Sequence, residues 1–90
     1  MKIWARLMCA HRIERETVRT FETQRPSDAE GWAPVLAELC RELDISRPLM
    51  LKKHVSELAR FGTTGFLPAD FMESCAFDRF ELEIYPEKKK

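Results

Sequence analysis

The sequence predicts one small α+β domain, and three observations predict it. Residues 2–9, KIWARLMC, and 77–85, FDRFELEIY, alternate apolar and polar side chains with the period of two that marks a strand. Residues 32, 35, 36, 39, 40 and 43 are apolar, the spacing of a helix with one buried face. A chain of 90 residues, 44% hydrophobic and including six Phe and two Trp, is long enough for a single core. The domain is expected to span 1–86, with the lysine-rich residues 87–90 as a solvated tail.

Taken in order, the first strand puts Ile3, Ala5, Leu7 and Cys9 on one side and Lys2, Trp4, Arg6 and Met8 on the other. RIERETVRTF, from Arg12, reads as a second strand. The link between them is too short for a helix, so the two form an antiparallel hairpin, although the turn lacks an Asn-Gly or Asp-Gly pair. ETQRPSDAE is a polar connection. Ser27 and Glu30 have the spacing of a capping box. A start at Ser27 would place Pro34 where its missing N–H matters, so the helix is expected to begin near Glu30 or Gly31, with the proline in its first turn. It should end by Asp44, and Arg47-Pro48 marks a break.

PLML, residues 48–51, is then expected to be a short buried strand. KKHVSELARFG reads as a second, short helix with Leu51, Val55 and Leu58 on one face and Gly62 as its cap. TTGFLP suits a small extended segment, ADFMESCAF a loop or helical turn, and FDRFELEIY the last strand. The order β-β-α-β-(short α)-β is the outline of a β-grasp (ubiquitin-like) domain. That outline implies a mixed sheet, the last strand beside the first, and one main helix packed on it. A ferredoxin-like order would need a helix between the first two strands.

Charge narrows the function. Lys plus Arg and Asp plus Glu both number 15, so the chain lacks the basic excess by which phosphate-backbone binders gain affinity. No apolar run is long enough for a membrane span, and Arg6 interrupts the apolar N-terminal stretch that superficially resembles a signal peptide. Cys9, Cys40 and Cys75 are odd in number and widely spaced, which fits reduced thiols and a cytoplasmic location.

No motif specifies a reaction. Cys9, His11, Cys40, His54 and Cys75 are the available zinc-type ligands, but only Cys9-x-His11 is a close pair, so no metal or cofactor is expected. A thiol-dependent enzyme would use Cys40 or Cys75 with His54 as base. The helix C-terminus near Cys40 disfavours a thiolate, and Cys75 has no cationic neighbour in sequence. Glu81 and Glu83 share a strand face, most simply as a solvent-facing charged row. Gly62-Thr-Thr-Gly65 lacks the lysine and helix start of a nucleotide loop.

Two binding readings remain. Arg12, Arg15 and Arg19 on the second strand, beside Arg6 on the first, would serve a nucleic acid with Trp4 as a stacking surface, although Glu14 and Glu16 interleave with them. The aromatic side chains offer the more economical reading, a contact surface for a protein partner made by Trp4, Phe66, Phe71 and Met72. Neither the partner nor the oligomeric state follows from the residues.

The segments MKIWARLM, CRELDISRPLMLKKHVSELARFG, FLPADFMES and FDRFELEIY together resemble a group of short bacterial proteins, chiefly from anaerobic Firmicutes. That group has an MKIWAR-type opening strand, an ELC-x-ELD-like helix end, an R/K-P turn and an FD-x-LEIE-type closing strand. The resemblance spans nearly the whole chain and implies a bacterial cytoplasmic protein. It transfers no activity. Cys40 and His54 fall inside the shared pattern, whereas Cys9 and Cys75 do not. The sequence reading is therefore a non-enzymatic protein-binding or accessory module, with nucleic-acid binding second and thiol chemistry third.

Overall fold

The computed structural model describes residues 1–71 and 77–85. Strands β1 (Lys2–Cys9) and β2 (Arg12–Thr20) form the expected hairpin, followed by helices α1 (Ala29–Leu43) and α2 (Lys52–Phe61) and strands β3 (Thr63–Phe66) and β4 (Arg79–Ile84). The sheet order is β2-β1-β4-β3. α1 lies nearest β2 and α2 nearest β3. As the alternation requires, Ile3, Ala5 and Leu7 of β1 and Phe80, Leu82 and Ile84 of β4 are buried beneath the helices.

The α+β class and the last strand beside the first are as expected, but the sheet is not mixed. All three strand pairings are antiparallel, β1 with β4 included, and this departs from the β-grasp outline. Pro48–Leu51 is not a strand either. Proline has no N–H to give a ladder, and the segment is held instead by Leu49, whose N–H donates to the Asp70 carbonyl at 2.8 Å. The strand role passes to Thr63–Phe66, which makes β4 an interior strand.

The hairpin turn is Ala10-His11, with φ of 50° and 65°. Two successive left-handed residues give the turn a twist that matches paired strands, here without the usual glycine. The side chain of Asp78 accepts the Ala10 N–H at 2.8 Å and compensates in part. One step further, the register slips between Leu7 and Met8, so Leu7 faces Arg15 while Met8 faces Ile13.

α1 starts one residue earlier than expected. Asp28, not Ser27, is its cap and accepts the Gly31 N–H at 2.8 Å. Pro34 thus lies in the second turn, where its ring removes the hydrogen bond that Glu30 C=O would accept. The helix continues because Trp32, Val35, Leu36, Leu39, Cys40 and Leu43 are buried. At about 1.5–3 kcal/mol for each large side chain, that face outweighs one lost hydrogen bond. The helix closes with Asp44 in the left-handed region and Ile45 N–H donating to Cys40 C=O, a Schellman-type end.

α2 ends at Gly62, φ 73°, as its sequence predicts. Its buried face differs from expectation: it is His54 with Leu58, while Leu51 precedes the helix and is 44% exposed. The histidine therefore occupies a position that the pattern assigns to an apolar side chain.

Candidate interaction surface

Directly opposed residues of an antiparallel pair share a face, so the register sorts the sheet. The buried residues of β1 and β4 define the helix side. On the other side stand Trp4, Arg6 and Met8 of β1, Glu16 and Val18 of β2, and Arg79, Glu81 and Glu83 of β4. Among the described residues no helix or strand covers this outer face.

Trp4 is half-buried at its centre, flanked by Val18 and Glu83. Its Nε1–H donates to Glu16 Oε1 at 2.7 Å, and the Arg6 guanidinium lies 4.2 Å from the ring centroid, a cation–π contact. Arg6 in turn bonds Glu81 through Nε at 2.7 Å and approaches Glu83 through Nη1 at 3.3 Å. Glu81 also bonds Arg79 at 2.7 Å, and the Arg79 guanidinium lies against Gly65, filling the space a side chain there would take. The indole is therefore held in one orientation by a continuous charged ladder. On the same face Val18, opposite Trp4, and Ile13, opposite Met8, are 46% and 43% exposed.

Of the expected protein-contact residues, Trp4 lies on this surface and two do not. Phe66 is fully buried, because it faces Phe80 across the core side of β3 and β4, and its ring lies 4.2 Å from that of His54. Phe71 turns inward after the Pro68–Asp70 turn and meets the edge of Phe77 at 5.2 Å. Met72 lies outside the described residues.

The four arginines do not share a face. Arg15 and Arg19 oppose Leu7 and Ile3, and Arg12 opposes Cys9, so these three point to the helix side. The register slip is what brings Arg12 into line with Arg15. Arg6 points the other way, and Arg19 approaches Glu42 of α1 at 3.4 Å.

Cys40 and His54 are residues of the fold. Cys40 is buried in the core, and burial pushes its thiol up to about 12, so it is held protonated. His54 is fully buried. Its Nδ1 accepts the Leu51 N–H at 2.9 Å, which leaves the proton on Nε2, 3.7 Å from Asp70 Oδ2. Neither group is reachable by a substrate in this structure, and Cys75 lies outside the described residues. Among the described residues no three His, Cys, Asp or Glu side chains converge as metal ligands. A groove of about 670 Å³ runs between the start of α1 and α2, lined in part by Asp28, Lys52, Val55 and Ser56, with no cysteine or histidine. Among the described residues no helix is long and apolar enough to cross a membrane.

Sequence reasoning missed Val18 and Glu16 as neighbours of Trp4, and Ile13 and Arg79 as members of the same face. The alternation in the last strand already put Glu81 and Glu83 on one face. The missing information was the pairing of that face with Arg6, a contact 75 residues away along the chain. No protein-family model, curated protein or solved structure matches this chain.

Proposed function

We propose that the chain is a small, non-enzymatic protein-binding module of a bacterial cytoplasm, and that it binds through the open face of its sheet. One observation carries this reading: a partly exposed tryptophan, oriented by Glu16 and Arg6, sits beside exposed Val18 on a face that also exposes Ile13. Trp and Arg dominate the energetics of protein interfaces. Here both are ordered before any partner arrives, which lowers the entropic cost of association.

Photo-crosslinking tests it. A benzophenone amino acid at position 18 should yield a discrete protein adduct in the producing cell, and Trp4→Ala should abolish it. The control probe is at position 49, between the helices, where Leu49 is 53% exposed. Adducts formed only at position 49, or insensitive to Trp4→Ala, would count against the open face.

Nucleic-acid binding remains the second reading, favoured by the register slip that aligns Arg12 with Arg15 and Arg19. It requires affinity that falls steeply with salt. Triple replacement of these arginines by Gln should then remove binding while leaving the Val18 adduct intact.

A further inference from the structure

We infer that the partner on the open face is a second copy of this chain, packed sheet against sheet about a twofold axis parallel to the strands. The inference rests on the open-face reading and adds the identity of the occupant.

The arrangement of charge supports it. On the outer face β1 carries Lys2 and Arg6, while its neighbour β4 carries Glu81 and Glu83, with Arg79 beyond them opposite Met8. A twofold axis running between these strands lays β1 of one copy over β4 of the other without shifting either along its length. Arg6 and Glu81 are level with one another in the register, so Arg6 of each copy comes to lie over Glu81 of the other. The same operation lays Val18 over Thr63, because both are level with the Trp4–Glu83 pair. Such an interface is isologous and closes on itself. At the Arg6–Glu81 level the face is complementary to its own rotated image.

Desolvation, the usual objection to charged interfaces, is small for the central Arg6–Glu81 pair. The Arg6 and Glu81 side chains are only 15% and 22% exposed before association. Most of the penalty for taking them out of water falls within the monomer fold.

Size is adequate for a weak dimer. Four strands about 4.8 Å apart, from about 13 Å long for β3 to about 30 Å for β2, cover roughly 400 Å² in projection. The corrugated accessible surface over that area is larger, and it approaches the low end of specific interfaces, below about 600 Å² per partner. A micromolar dissociation constant is therefore expected.

The alternative symmetric contact, β2 edge to β2 edge, is opposed by sequence. Its central antiparallel registers set Glu16 against itself, Arg15 against itself, or Arg15 against Arg19. Like charges directly opposed destabilise a strand pair.

Sedimentation equilibrium of the full chain, from micromolar to millimolar concentration, tests the inference. A monomer–dimer equilibrium is expected. Val18→Arg, at an exposed position, should weaken it at least about tenfold while leaving the circular dichroism unchanged. Glu81→Arg should also weaken it. A chain that stays monomeric throughout, or a dimer indifferent to Val18→Arg, overturns the inference. If a monomeric chain still captures a different protein at position 18, the open-face reading stands and only the second copy is lost. Capture of nothing there removes both.

Discussion

His54 accepts the Leu51 backbone N–H through Nδ1 at 2.9 Å, so a buried imidazole holds the first turn of α2. It can do this only while neutral. Burial is the main cause that lowers its pKa from the ordinary 6.5, and Lys53 adds to it, while Asp70 and Glu57 oppose. The unfolded chain therefore binds this proton more readily than the folded one. The stabilising contribution is complete above about pH 6.5 and declines as pH falls below it, at up to about 1.4 kcal/mol per pH unit, until the lowered folded value is reached. Urea titrations between pH 7 and 5 should show this slope, and His54→Gln should flatten it.

Phe66 faces Phe80 within the core, with ring centroids 5.6 Å apart. Phe66→Ala should cost about 3–5 kcal/mol in chemical denaturation. Val18→Thr on the open face should cost less than about 0.5 kcal/mol. This contrast separates residues that hold the fold from those available for contact.

Pro34 is exposed and interrupts the α1 ladder. Pro34→Ala restores a donor for the Glu30 carbonyl. The helical preference of about 3 kcal/mol, less about 1 kcal/mol of lost unfolded-chain restriction, should leave a gain near 2 kcal/mol. Differential scanning calorimetry should register a rise of roughly 10 °C in Tm.

The Ala10-His11 turn holds two non-glycine residues in the left-handed region. Replacing the pair by Asn-Gly should raise stability by about 1 kcal/mol, measured by thermal unfolding, with strand register unchanged.

Local signals made much of the fold legible. β1, the body of α1, the Gly62 cap and β4 each advertise themselves through short-range periodicity or a single residue with special backbone freedom. The failures were of other kinds. Pro34 inside α1 and Ala10-His11 in the turn run against local preference and are held by burial and by Asp78, which lie far off in sequence. The direction of β4 against β1 is a long-range relationship that no local pattern encodes. At the site, Trp4 was legible as the aromatic on the polar side of β1. Phe66 and Phe71 were not separable from it by composition, because exposure depends on which face of the sheet the helices cover.

The most specific claim is that the face around Trp4 meets a second copy of the chain, and a dilution series of two-dimensional ¹H–¹⁵N NMR spectra reports this residue by residue. The expected result is concentration-dependent shifts at the Trp4 indole N–H and at the Arg6, Val18, Thr63 and Glu81 amides, with Leu49, Leu51 and Val55 unmoved. Shifts confined to that second group, or none up to millimolar concentration, would contradict it.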